Sequence, residues 1–430
     1  MTASNLRQSR GIPGAGRFAS SFAGAVASAA ALATCGLLVA APALAQTKLT
    51  AVPSPVVLTF STVGDSRQDP VTYDQASVGA TLSGQDKIWL QNTAAITRIL
   101  RTIQSQKASM LFFNGDMVHG YGWAGFGYTS NATQSAISGP VAPTAVADIV
   151  GSDLMKFYRQ YGFWRGMVAP LMETGTYVFP VPGNHETECK ACPVNSDGQR
   201  VAKVENEAAW GANMGDLVLD TNRFASILGA PPGNPSFGPV ADGPDSLGTD
   251  QSKLSYSFDY QGLHFAVINT DPVGAETSAP ANWLNADLSA AQARGIRKFF
   301  VFGHKPAYSY NYQASGTAAP SGLDSTAATS VKRDAFWNVI EAFKATYFCG
   351  HEHIYNVSQP RGGAYQVIVG AGGSPFDAKS GVVTKNPATD RSYSWATVKV
   401  HQDGSVDILA YGFDEHFGPT SLIGQYTIAP

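Results

Sequence analysis

Five short polar segments carry the residues able to do chemistry: Gly64-Asp65-Ser66-Arg67, Asn114-Gly115-Asp116-Met117-Val118-His119, Gly183-Asn184-His185-Glu186, Gly303-His304 and Gly350-His351-Glu352-His353. Each follows an apolar run that reads as a strand. In an open α/β sheet, ligands bind beyond the carboxyl ends of the strands, so these five ends are expected to converge on one crevice. Carboxylate and amide oxygens with imidazole nitrogens would suit Fe, Mn, Zn or similar divalent or trivalent ions, and no thiolate is offered to soft ones. A lone Gly-Asp turn says little. The recurrence of Gly-Asp, Gly-Asp, Gly-Asn-His, Gly-His and Gly-His-x-His, each after an apolar run, says more. The glycines permit the tight turn that brings the next side chain back over the sheet edge.

The elements that must position these segments follow from periodicity. Runs at 56–63, 110–113, 177–181, 254–258, 264–269, 299–302 and 345–348 are β-branched and aromatic, and predict strands. Ile96, Ile99, Leu100 and Ile103 keep the i, i+3, i+4, i+7 spacing of a helix. Further helices are predicted at 154–172 and 327–343, and an antiparallel pair at 395–400 and 406–411. Three stretches rich in Gly, Pro, Ser and Ala, at 127–147, 229–250 and 311–326, read as surface loops. Strands alternating with helices give an α/β fold.

Arg7, Arg10 and Arg17 precede an Ala/Leu/Val-rich run that ends in Ala43-Leu44-Ala45, the pattern of a signal peptide over residues 1–45. An uncleaved N-terminal anchor is the alternative. The protein is therefore expected to be exported, periplasmic or secreted, with residues 46–430 as one catalytic domain carrying an insertion at about 187–250. Residues 1–45 hold three of the Arg and no acid, so without them the formal net charge moves from −3 to −6. A mildly acidic surface argues against a nucleic-acid partner, and no later apolar run is long enough for a stable membrane partner. Cys189 and Cys192 are expected to close a small disulfide loop in an oxidising compartment. A redox pair or half a zinc site are the alternatives, and no second CxxC completes the latter. Cys349, inside an apolar run, reads as a buried thiol.

With these motifs the sequence resembles the calcineurin-like metallophosphoesterase superfamily, and within it the purple acid phosphatase branch. Tyr256 to Asp271 (YSFDYQGLHFAVINTD) and Val369 to Ser374 (VGAGGS) are similar to that branch as well. The resemblance implies a four-layer α/β/β/α sandwich with two metal ions at the strand ends. It makes Asp116 the carboxylate shared by both ions, with Asn184, His304 and His351 on one and Asp65 and His353 on the other. Arg67 stands where most of the superfamily has a ligating histidine, and arginine cannot ligate a cation. The purple acid phosphatases also lack that histidine and supply a tyrosine three residues after the shared aspartate. Here that position is His119, expected as the replacement ligand and without the phenolate colour. Arg67 is then either a phosphate clamp or a structural ion pair. The resemblance gives His185 the role of assisting the leaving oxygen, or of orienting Asp116 or the phosphate. The activity implied is hydrolysis of small-molecule phosphate esters, monoesters first. A phosphodiesterase on the same site, or an inactive phosphate- or metal-binding protein, are the alternatives. His264, His401 and His416 read as structural or surface histidines, and Glu186 and Glu352 as hydrogen-bond acceptors or solvated charges. The aromatics Tyr121, Trp123, Phe126 and Tyr128, with Tyr308, Tyr310 and Tyr312, either wall a pocket or pack loops.

Overall fold

A computed structural model describes residues 54–70, 89–125, 145–310, 319–378 and 386–430. The expected signal segment lies outside the described residues, as do Phe126, Tyr128, Tyr312, most of the first loop and half of the third. In the first sheet, β1 (Val56–Val63), β2 (Met110–Phe113) and β3 (Tyr177–Pro180) run parallel. On the other side of β1, a meander continues the sheet antiparallel through β11 (Tyr393–His401), β12 (Val406–Phe413) and β13 (Ser421–Ile428). The second sheet comprises β4 (Gly233–Phe237), β5 (Tyr256–Tyr260), β6 (Leu263–Val267), β7 (Phe299–Phe302), β8 (Thr346–Cys349), β9 (Tyr355–Ser358) and β10 (Tyr365–Val369). Its order is β4-β5-β6-β7-β8-β10-β9, with β6, β7, β8 and β10 parallel.

Successive side chains of a strand point to opposite faces, so each buried strand feeds two cores. In β2, Met110 and Phe112 enter the layer between the sheets, while Leu111 and Phe113 meet the helices outside. The inter-sheet layer is aromatic: Phe60, Phe112 and Phe179 face Phe258, Phe265, Phe300, Phe302 and Phe348. Phe112 stacks on Phe302 with centroids 3.7 Å apart, and Phe60 meets Phe300 edge-on at 5.2 Å. Such pairs contribute about 0.5–1.5 kcal/mol each beyond their area. Helices Trp89–Gln106 and Asp153–Glu173 cover the first sheet, with Ile96, Ile99, Leu100, Ile103 and Trp164 buried. Helices Ala281–Ala293 and Ala327–Ala342 cover the second through Leu284, Leu288, Phe336, Trp337 and Ile340. The sequence of layers is helix, sheet, sheet, helix, as the α/β/β/α expectation has it.

Several elements differ from the sequence reading. β5 starts two residues later than 254–258, because Leu254 belongs to the core over the first sheet. The 229–250 stretch is not all loop: β4 lies in it, as an edge strand that pairs on one side and so tolerates Pro235. Helices Val204–Met214 and Thr221–Leu228 occupy the 187–250 stretch, and helix Ala281–Ala293 was not foreseen. Cys189 and Cys192 are joined with an S–S distance of 2.09 Å, and Cys349 is free and buried. Among the described residues, no helix is long and apolar enough to cross a membrane.

His264 is fully buried on β6 and structural, as expected. Its Nδ1 meets Asp259 at 2.7 Å and its Nε2 meets Asp287 at 2.9 Å. Asp259 also takes Arg294 at 2.8 Å, and Asp287 accepts from Ser257 at 2.8 Å. Removing one partner of a buried charged set leaves uncompensated charge and costs about 3–5 kcal/mol. His264→Leu is therefore expected to lower unfolding stability by that amount in denaturant titrations, with the circular dichroism of the folded state retained.

Candidate active site

The strand ends deliver their polar residues through unusual backbone. Asp65 (φ 64), Arg67 (φ 42), Asp116 (φ 51) and His351 (φ 70) all sit in the left-handed region, uncommon for residues other than glycine. Main-chain bonds hold them there: Asp65 N–H donates to Gly115 O at 2.9 Å, and Arg67 N–H to Asp116 O at 2.8 Å. The buried Glu186 carboxylate joins the loops after β2 and β3. It accepts from the N–H groups of Asp116 (2.9 Å), Val118 (3.2 Å) and Gly183 (2.7 Å). Glu186 is thus an acceptor, and so is Glu352, which takes the Tyr310 N–H at 2.8 Å. Two glycines are required by space: a Cβ on Gly183 would lie 2.5 Å from Asp116 N and Oδ1, and one on Gly115 (φ 83) would lie 2.5 Å from His304 Nδ1.

Asp116 is fully buried at the centre. Its Oδ1 lies 3.1 Å from His304 Nε2 and accepts the His185 N–H at 3.0 Å. Its Oδ2 lies 3.3 Å from Arg67 Nη2 and 3.6 Å from His185 Nε2. Burial acts to raise the Asp116 pKa, but the imidazoles of His185 and His304 and the Arg67 guanidinium outweigh it, and the carboxyl sits well below its usual range. His304 donates through Nδ1 to Asn114 O at 2.7 Å, which leaves Nε2 facing Asp116. Burial opposes its protonation, yet the Asp116 charge pushes it up to about 10.

The other residues of the five segments gather round this pair. Asn184 Oδ1 lies 2.8 Å from His304 Nε2 and 2.9 Å from His351 Nδ1. Asp65 Oδ2 accepts the His351 N–H at 3.0 Å, and Asp65 Oδ1 lies 3.5 Å from His353 Nε2. His353 Nδ1 donates to the Pro375 carbonyl, fixing Nε2 toward Asp65. Asp65, Asp116 and His304 each offer a ligand atom within 4.8 Å of the other two, a group able to hold a metal ion. Asp65 Oδ1, His185 Nε2 and His353 Nε2 are buried without a hydrogen-bond partner. Orphaned buried polar atoms cost about 1–3 kcal/mol each. Such atoms beside a cluster of hard oxygen and nitrogen donors fit a bound cation.

Two further sequence-derived candidates are His119 and Arg67. The His119 side chain is exposed, and among the described residues it makes no hydrogen bond or ion pair to Asp65, Asp116, Asn184 or His304. Its carbonyl is what engages the site, facing His185 Nδ1, while its ring helps line a cavity of about 440 Å³ with Asp69, Tyr121, Lys156, Gln160 and Lys190. The His119 ring also meets the His185 ring edge-on, with centroids 5.9 Å apart. Arg67 is partly exposed and lies on Asp116, an ion pair at the centre rather than at the surface.

Beside the cluster is a set that motif reading missed. Lys305, next to His304, is buried and donates to Glu188 Oε1 at 2.9 Å, Asp271 Oδ1 at 2.5 Å and Thr277 Oγ1 at 2.8 Å. Two acids share one base, and burial pushes the Glu188 carboxyl up to about 8. Between the ordinary value of 4.5 and about 8, the folded state holds a proton that the unfolded state has released, so this group's contribution to stability falls as pH rises through that window. Melting temperatures measured from pH 5 to 9 at fixed metal concentration are expected to show a shallower decline for Glu188→Gln than for the unaltered protein.

Comparison with known proteins supplies the family. Residues 89–355 match the sequence profile of the calcineurin-like phosphoesterases. The β1 segment with Asp65 and Arg67 precedes that match and joins the site through geometry. No curated protein matches the chain in sequence. Among solved structures, a purple acid phosphatase from yellow lupin seeds superposes with a TM-score of 0.49 at 13% identity, covering 88% of this chain and 54% of that one. The chain thus spans about half the length of the lupin enzyme. A dimetal phosphatase from Danio rerio gives 0.38 at 12% identity, covering 86% and 100%. A 5'-nucleotidase from Candida albicans gives 0.35 at 10% identity, covering 84% and 52%. The profile match runs through the strand ends that carry Asp116, Asn184, His304, His351 and His353, and the chain belongs to the calcineurin-like phosphoesterase family.

Proposed function

We propose that this protein hydrolyses phosphate esters at a two-metal site and that small-molecule monoesters are its substrates. The observation that carries the reading is the buried Asp116 carboxylate, met by donors from both sheets. Asp116 would lie between the ions, with Asn184, His304 and His351 on one and Asp65 and His353 on the other. Bound ions supply Lewis-acid polarisation of the phosphoryl group and a more acidic water.

The chain's own residues do the rest. Arg67 presents a partly exposed guanidinium at Asp116, placed to bind a phosphoryl oxygen. The His119 carbonyl accepts from His185 Nδ1–H, so a second proton on that ring is carried at Nε2, on the Asp116 side. His185 gives that proton to the leaving oxygen as the P–O bond breaks, and water supplies the oxygen that phosphorus gains. Burial and Arg67 hold the His185 imidazole well below its ordinary pKa, so the ring carries that second proton only under acidic conditions. The Cys189–Cys192 disulfide supports export to the periplasm or the exterior.

Asp116→Ala and His304→Ala are expected to abolish hydrolysis of an aryl phosphate and to lower the metal bound per chain. Full activity in either variant refutes the reading. Rates on matched aryl mono- and diesters separate a phosphatase from a phosphodiesterase, and an inactive binding protein turns over neither. Arg67→Ala is expected to raise KM about 10- to 100-fold, the worth of hydrogen bonds to a charged group. An unchanged KM would leave Arg67 as an ion pair only.

A further inference from the structure

The loop after Asp116 turns at Tyr121, whose φ of 64 is left-handed. The Tyr121 N–H donates to His185 O at 2.9 Å, and its carbonyl accepts from Lys190 N–H at 3.0 Å. These bonds hold the side chain over the Gly183-Asn184-His185 turn. The ring lies against His185, with centroids 3.6 Å apart and planes inclined by 40°. The hydroxyl accepts from Asn184 Nδ2, and from Arg200 Nη1 at 2.7 Å. One side chain therefore touches both polar residues of that motif.

The two ends of the Asn184 amide are not interchangeable. Oδ1 faces His304 Nε2 and His351 Nδ1, so the NH₂ end needs an acceptor elsewhere, and among the described residues Tyr121 Oη is that acceptor. Turned by half a rotation, the amide would set N–H groups, which cannot ligate a cation, against the two histidines. Arg200 is exposed and comes from the segment between Cys189, which is disulfide-bonded to Cys192, and the short bridge that pairs Glu188 with Ala202. Its guanidinium also covers the Tyr121 ring face, 4.8 Å from the centroid.

We propose that Tyr121 is a positioning residue: its hydroxyl turns the Asn184 oxygen toward the ligand cluster, and Arg200 holds that hydroxyl in place. This rests on the two-metal reading above. Neither residue is required to touch the substrate.

The test is calorimetric titration of Mn²⁺ into the full chain after chelation, read alongside aryl phosphate hydrolysis. The unaltered protein is expected to show two binding steps. Tyr121→Phe keeps the ring and is expected to weaken one step about 10- to 100-fold, the usual cost of losing a partner that orients a ligand, and to leave the other unchanged. Arg200→Gln, at an exposed position that does not endanger folding, weakens the same step by less. Raising Mn²⁺ is expected to restore hydrolysis in both variants, which general damage to the fold would not allow. Titrations of both variants that match the unaltered protein overturn the proposal and leave the two-metal reading standing, as does equal weakening of both steps. Failure of the unaltered protein to take up Mn²⁺ sinks that reading, and this proposal with it.

Discussion

A carboxylate taken wholly out of water stays charged only if donors converge on it, and Asp116 is such a group. Both oxygens are met, by His304 and the His185 main chain on one side and by Arg67 and the His185 ring on the other. Much of the local architecture follows from that need. The left-handed turns at Asp65, Arg67 and Asp116 bring short loops back over the sheet edge. Glu186 holds the amides of two of those loops, and the closest approaches are made where glycine leaves room. A buried polar set of this kind is either fully answered or costly. Three buried atoms that make no hydrogen bond, Asp65 Oδ1, His185 Nε2 and His353 Nε2, flank the same cluster.

The donors come from both halves of the molecule. Asp65, Asp116 and Asn184 follow strands of the first sheet, and His304, His351 and His353 follow strands of the second. The phenylalanine layer between the sheets fixes the separation of those strand ends. Hydrogen bonds from main-chain N–H groups join the sheets near the site as well: Gly372 N–H donates to Gly64 O at 2.9 Å, and His351 N–H to the Asp65 carboxylate at 3.0 Å.

Much of this was legible in the sequence, for reasons that differ by element. Strands such as 110–113 and 299–302 are continuous apolar runs ended by Gly or Asn-Gly, so both composition and punctuation mark them. The helix over the first sheet declares itself through Ile96, Ile99, Leu100 and Ile103. β4 does not, because Gly-Asn-Pro-Ser-Phe carries turn residues and gains its strand character only by pairing with β5. The helix Ala281–Ala293 is rich in Ala and Asn and has a weak apolar stripe. At the site, residue type and order sufficed for Asp65, Asp116, Asn184, His304, His351 and His353 to be singled out. The direction of a side chain within a turn did not follow from spacing. Counting three residues from Asp116 leads to His119, whose ring is exposed and meets His185 edge-on, while Tyr121, at positive φ, lies over Asn184. Lys305 escaped notice because its acids, Glu188 and Asp271, are remote in sequence.

Because the candidate donors straddle the two sheets, any grip on a cation would depend on the cohesion of the greasy seam between them. Slippage of one sheet along the other would pull Asp65 and Asp116 away from the histidines, so a truncated phenylalanine far from any substrate can act as a loosened hinge pin. Conversely, an ion held by donors of both sheets would act as a rivet, stabilising the folded chain further as its concentration rises above its dissociation constant.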